Sequence, residues 1–422
     1  MGNDKYISRL IEGKISERMR LVGCVVIQGA KWCGKSTTAK RFAKTVVELQ
    51  SPVTFKIYNT MASTDAKGLF DGEKPILFDE WQKIPLLWDL IRHNVDQLNE
   101  KGLYILTGSA TPVEDEERHS GLGRITRLIM RPMSLWESGD STGTVSLSEL
   151  FAGTDSVGGI SNLDLNQIAH VICRGGWPSA VLAEKDDQLK IATIYYADLI
   201  EHDITNVDEI KRNPERAASI LRSYARNISS LATNKTIQDD VTANDSTLDD
   251  KTLSSYTNAL RKLFVIEDML AWSPKMRSRT ATRTSAKRQF VDPSIAVAAL
   301  GSSPAGLMKD MNTFGFLFES LCVRDLRIYA DLLGGRVLHF REEKGLEVDA
   351  IIRLPNDDWA AIEIKLGGQE IDQAAANLKT FVNRLEIGEK NPPKFLMVLT
   401  GLPRAYKRQD GVFVVPIGCM RW

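Results

Sequence analysis

The run GAKWCGKS holds Gly29, Gly34, Lys35 and Ser36 at the spacing of a phosphate-binding loop, after the apolar residues Val25 to Ile27 and before a helical segment. In such a loop the backbone N–H groups from Gly29 through Ala30, Lys31, Trp32, Cys33 and Gly34 to Lys35, Ser36 and Thr37 converge on phosphate at a helix N-terminus. The Lys35 ammonium would reach the β- and γ-oxygens, and the Ser36 hydroxyl would ligate Mg2+. ATP with Mg2+ is therefore the expected ligand pair.

A second group follows in KPILFDEW, where the apolar run Ile76 to Phe78 ends in Asp79 and Glu80. Buried parallel strands read as continuous apolar runs, and ligands gather at their carboxyl ends. Asp79 is expected to hold Mg2+ through its water shell, and Glu80 to orient or deprotonate the attacking water. In GLYILTGSAT another apolar strand leaves through Thr107 and Ser109, either of which would contact the γ-phosphate or its water. Arg124 then stands just before a further strand-like run.

The third group lies in LEVDAIIRLPNDDWAAIEIKLGG, residues 346–368. Glu347-Val348-Asp349 and Glu363-Ile364-Lys365 alternate polar with apolar, which puts each set of charges on one face of its strand. If PNDD turns the two strands into a hairpin about 4.8 Å across, the carboxylates of Asp349 and Glu363 converge on a single divalent ion beside Lys365. An amphipathic hairpin with a polar face would give the same pattern.

The elements that must carry these groups extend over the whole chain. Gly29–Ser36, LFDEWQKIPLL, LTGSAT and GLGR before RPMSLWE follow in an order that resembles AAA family ATPases, and more narrowly bacterial and archaeal ATPases with a carboxy-terminal domain of unassigned role. CRGGWPSAV, YYADLIEHDI, RQFVDPSIA, FGFLFESLCVRDL and HFREEKGLEVDAII continue the resemblance. It implies that Arg124 either projects into a neighbouring subunit's site in a homo-oligomer or stands as a surface arginine. The carboxy-terminal part resembles the PD-(D/E)XK nuclease superfamily. That likeness implies metal binding by Asp349, Glu363 and the helix-borne Glu319, with Lys365 assisting water activation.

The middle of the chain is helical in period. In DDKTLSSYTNALRKLF, the residues Leu253, Tyr256, Leu260, Leu263 and Phe264 share a face opposite Lys251, Ser254, Asn258, Arg261 and Lys262. Lys275, Arg277, Arg279, Arg283, Lys287 and Arg288 follow without an acid before Asp292, the composition of a wing able to lie along a phosphate backbone. The expected fold is α/β throughout: a P-loop AAA-type parallel-sheet domain over 1–140, a linker and helical segment over 141–215, a winged-helix-like domain over 216–303, and a nuclease-like α/β domain over 304–422.

With 54 basic and 54 acidic residues the net charge is zero, so global electrostatics selects no partner and a nucleic-acid surface, DNA being favoured, has to be local. Five scattered cysteines argue against a disulfide framework, and five histidines show no ligand spacing. The start MGNDKYISRL lacks a signal-peptide core, and no apolar run approaches the ~18 residues of a spanning helix, which leads to the expectation of a cytoplasmic protein. The functional expectation is an ATPase coupled to a DNA-binding, nuclease-like domain. The alternative is a non-cutting switch that binds nucleic acid or a protein.

Overall fold

A computed structural model describes residues 6–109, 121–208, 210–243, 247–273, 285–342, 345–385 and 391–422. The chain forms two compact units. One comprises Met1–Pro132, Asp203–Lys211 and Asn258–Phe264; the other comprises Met133–His202, Arg212–Thr257 and Val265–Trp422.

In the first unit the elements run α1 (Glu12–Leu21), β1 (Cys24–Gln28), α2 (Lys35–Lys40), β2 (Thr45–Glu48), α3 (Pro52–Thr64), β3 (Ile76–Asp79), α4 (Leu87–Leu98), β4 (Tyr104–Gly108) and β5 (Ile125–Ile129). The strands make one parallel sheet in the order β2-β3-β4-β1-β5. The apolar runs β1, β3 and β4 are buried along their whole length, because both sheet faces are covered. Alternate residues divide between the faces. Cys24, Val26, Ile76, Phe78, Tyr104 and Leu106 pack with Trp88, Ile91 and Val95 of α4, while Val25, Ile27, Leu77 and Ile105 pack with Ile15 of α1 and Ala39 of α2. Ser51 and Pro52 start α3 in the usual way, the Ser51 hydroxyl accepting from the Thr54 N–H.

The second unit is built on a seven-stranded mixed sheet, ordered β7-β12-β13-β11-β10-β9-β8. Its strands are β7 (Gly159–Ile160), β8 (Arg336–Arg341), β9 (Glu347–Arg353), β10 (Trp359–Lys365), β11 (Leu396–Thr400), β12 (Arg404–Lys407) and β13 (Phe413–Pro416). A separate pair joins β6 (Val145–Ser146) to β14 (Met420–Arg421). β9 and β10 do form the antiparallel hairpin expected from PNDD, with Ala361 opposite Ile351 and Trp359 opposite Arg353. Helix Ile371–Arg384 contributes Ala374, Ala375, Leu378 and Phe381 to the core formed with Val348, Ile351, Trp359 and Val398. The long helix Met311–Leu332 packs against β8, β9 and β10.

Helix Leu165–Arg174 opens with a capping box in which Asp164 and Gln167 satisfy each other's backbone N–H at 2.8 Å. Helices Pro214–Arg226 and Asn234–Thr242 pack together. In helix Asp250–Lys262, Leu253, Tyr256 and Leu260 are buried while Lys251, Ser254, Asn258 and Arg261 are exposed, as the periodicity requires. Antiparallel bridges then join Ile266 to Phe290 and Met269 to Lys287. Lys275, Arg277, Arg279 and Arg283 of the expected wing lie outside the described residues. The two remaining basic residues of that stretch are not solvent-facing: Lys287 and Arg288 are both buried.

Candidate functional site

The phosphate loop sits between β1 and α2. Gly34 precedes α2 in the left-handed region at φ 98°, and Gly29 has φ 151°. A Cβ at Gly29 would lie 2.0 Å from the Met130 carbonyl oxygen, so only glycine lets the loop leave β1 this close to the chain beyond β5. Gly29→Ala is accordingly expected to cost about 1–3 kcal/mol of backbone strain and to weaken ATP binding, read by nucleotide titration. Cys33 is buried with its thiol on the Met130 carbonyl at 3.3 Å, and Arg9 clamps the loop from outside by donating to the Cys33 carbonyl at 2.7 Å. Trp32 is 41% exposed in a left-handed conformation, Thr37 is exposed, and Lys31 pairs with Asp203.

Lys35 is 5% exposed and donates to the carbonyls of Gly29 at 2.9 Å and Ala30 at 2.8 Å. Its ammonium is thus held inside the loop, where phosphate oxygens would replace the carbonyls as acceptors. The Ser36 hydroxyl donates to Asp79 at 2.6 Å, and the Thr107 hydroxyl donates to the same Asp79 oxygen. Parallel pairing makes this possible, since Asp79 on β3 lies opposite Thr107 on β4 and Thr107 lies opposite Ile27 on β1. A hydroxyl and a carboxylate meeting beside a buried lysine are the hard-oxygen donors that Mg2+ takes, so the residues fit a Mg2+–nucleotide. Glu80 is in the left-handed region at φ 59° and accepts from Ser109 at 3.2 Å and from Gln82. Gln82 carried no sequence signal of this role. Arg124 is exposed and paired with Asp96 of α4 at 2.6 Å.

In the second unit Glu319, Asp349, Glu363 and Lys365 come together, joined by Glu347, Asn377 and Lys287. Lys365 reaches Asp349 at 3.0 Å and Glu363 at 2.8 Å. Asp349 also accepts from the Ile364 N–H at 2.9 Å, and Asn377 donates to Glu363 at 2.7 Å. Lys287 reaches Glu319 at 2.8 Å, Glu347 at 3.1 Å and Asp349 at 3.4 Å. Among the described residues no group of three or more His, Cys, Asp or Glu side chains has the arrangement of a metal site. Lys287 belongs to the basic run expected to lie along a phosphate backbone, and nothing in its local sequence signals burial among acids. Arg288 beside it is equally internal, donating to the Ala232 carbonyl at 2.7 Å and pairing with Asp268 at 3.2 Å.

Burial pushes the Glu319 carboxyl up to about 7, with the Asp349 charge adding to the rise and Lys287 opposing it. Burial and then the Asp349 charge raise Glu363 as well. Asp349 is held low: burial would raise it, but Lys287 and Lys365 outweigh that. Between the ordinary Glu value of 4.5 and about 7 the folded form therefore binds more protons at Glu319 than the unfolded form does. Its contribution to stability is present at the acid end of that window and is lost as pH rises through it. Hydrogen exchange of β9 and β10 is expected to quicken from about pH 5 to pH 8, beyond the intrinsic rate increase, and to do so less in Glu319→Gln.

Residues 23–138 match an AAA domain, residues 165–306 a domain of unknown function (DUF8612), and residues 314–420 another domain of unknown function (DUF4143). No curated protein matches the chain. Among solved structures, the Walker-type ATPase of Pyrococcus abyssi is similar at 16% identity, with 70% of this chain and 97% of that chain covered and a TM-score of 0.43. No helix among the described residues is long and apolar enough to cross a membrane. The glycine loop, the Asp79-Glu80 strand end and the parallel sheet of the first unit all lie within the segment 23–138 that matches the AAA domain.

Proposed function

We propose that the chain is a Mg2+-dependent ATPase whose nucleotide state controls a carboxy-terminal domain that grips nucleic acid, DNA in the first instance, without cutting it. The observation that carries the ATPase reading is the meeting of Ser36 and Asp79 at 2.6 Å beside buried Lys35. With nucleotide bound, Lys35 would exchange the Gly29 and Ala30 carbonyls for β- and γ-oxygens, and Ser36 and Asp79 would hold the metal. Mg2+ when bound neutralises charge developing on the phosphates. Glu80, with Ser109 and Gln82 fixing its carboxylate, orients the attacking water, and Thr107 keeps Asp79 in place. In an oligomer Arg124 leaves Asp96 for the neighbouring copy's phosphates. Parent protein should hydrolyse ATP with Mg2+, and Lys35→Ala should not; equal turnover in both would dispose of the reading.

Nucleic-acid contact falls in this reading to Lys275, Arg277, Arg279 and Arg283 and to the exposed face of helix Asp250–Lys262. Fluorescence anisotropy with duplex DNA should detect binding that changes between ATP and ADP and weakens with salt. A second reading, metal-dependent cleavage, is favoured by the convergence of Asp349, Glu363 and Lys365. Cleavage that needs Mg2+ or Mn2+ and disappears in Asp349→Ala would select it over the non-cutting grip.

A further inference from the structure

Lys287 is the least expected member of the carboxylate cluster. Its side chain is 2% exposed, and its ammonium donates to Glu319 on helix Met311–Leu332 and to Asp349 on β9 and lies 3.1 Å from the Glu347 carboxylate, also on β9. The backbone that delivers it is pinned, for Lys287 and Met269 exchange two N–H to carbonyl bonds of 2.9 Å each. Several of the other oxygens are spoken for as well. Asp349 gives its second oxygen to Lys365 and the Ile364 N–H, Glu363 divides its two between Asn377 and Lys365, and Glu347 meets Arg341 at 3.3 Å.

A divalent ion would need the same oxygens at about 2.0–2.6 Å. A lysine ammonium is a compact point charge that satisfies an acidic pocket from about 2.8 Å without dehydrating a free ion. The two cations cannot share the space, and the tethered one needs no supply from solution.

We propose that the Lys287 ammonium is the resident cation of this cluster, standing where a divalent metal would stand, and that its removal opens a divalent-metal site on Glu319, Glu347 and Asp349. The proposal deepens the non-cutting arm of the functional reading and is independent of the nucleotide site. In consequence the cluster binds no Mg2+ or Mn2+ in the parent, and the carboxylates serve the architecture of the sheet instead of hydrolysis.

The test is Mn2+ binding to the full chain without nucleotide, followed by electron paramagnetic resonance of the free ion. Asp349→Asn serves to separate this cluster from Ser36 and Asp79. The parent is expected to bind no Mn2+ that depends on Asp349. Lys287→Met is expected to gain one equivalent of bound Mn2+, lost again in Lys287→Met/Asp349→Asn. Uptake by the parent that Asp349→Asn abolishes would overturn the proposal, as would a folded Lys287→Met that gains none. Should Lys287→Met fail to fold, Lys287→Gln replaces it, and the parent arm decides regardless. A parent free of Asp349-dependent Mn2+ that also fails to bind DNA would remove the grip alone and leave the resident cation standing.

Discussion

Glu80→Gln is expected to lower ATP turnover by roughly 10²–10⁴-fold, the range for loss of a positioned general base, while leaving ATP affinity close to that of the parent. The amide keeps the shape of the side chain and can still meet Ser109 at the end of β4, so the strand-end geometry survives. It no longer accepts a proton or holds the attacking water by charge. Lys35→Ala should differ in kind: it removes the ammonium that now bonds Gly29 and Ala30, so binding falls along with turnover. Single-turnover assays paired with nucleotide titration separate the two cases. Turnover in Glu80→Gln within a few-fold of the parent would take the water-orienting role away from this residue.

Arg324→Met should destabilise the second unit by about 3–5 kcal/mol, the cost of leaving a buried charge without its partner. Arg324 is buried in the long helix and reaches Asp292 at 2.9 Å and Asp325 at 2.8 Å, both of them fully enclosed. The same carboxylates accept the backbone N–H of Gly176 and of Leu135, each at 2.9 Å, so the network fixes two distant stretches of chain to the helix that also carries Glu319. With methionine in place, two carboxylates remain buried without a cation. The exposed pair Lys190–Asp187 at 2.7 Å is the contrast, and Lys190→Ala should move stability by about 0–1 kcal/mol. Urea unfolding followed by hydrogen exchange of helix Met311–Leu332 measures both. A shift for Arg324→Met no larger than that of Lys190→Ala would show the network to be dispensable.

The glycine loop and the acidic strand end were legible in the sequence because their parts are local. A glycine loop after an apolar strand, and a strand ending in two acids, announce their geometry through backbone conformation and continuous hydrophobicity. The β9–β10 hairpin was legible for a similar reason: alternation and a polar turn set the register. What stayed hidden depends on partners far along the chain. Ser109 meets Glu80 only because β3 and β4 lie side by side. Arg9, with no motif around it, closes on a carbonyl 24 residues later.

By itself, then, the sequence determined a glycine loop between strand and helix, an acidic strand end and a hairpin bearing Asp349, Glu363 and Lys365, since each follows from short-range spacing and periodicity. Tertiary structure alone decided that Lys287 leaves its basic neighbourhood for the interior and that three carboxylates gather around it. A lysine's local context carries no trace of whether its charge ends in water or among acids brought there by residues 319, 347 and 349. That choice is made when the helix and the sheet pack, and the desolvation of the ammonium is offset only by the partners packing supplies.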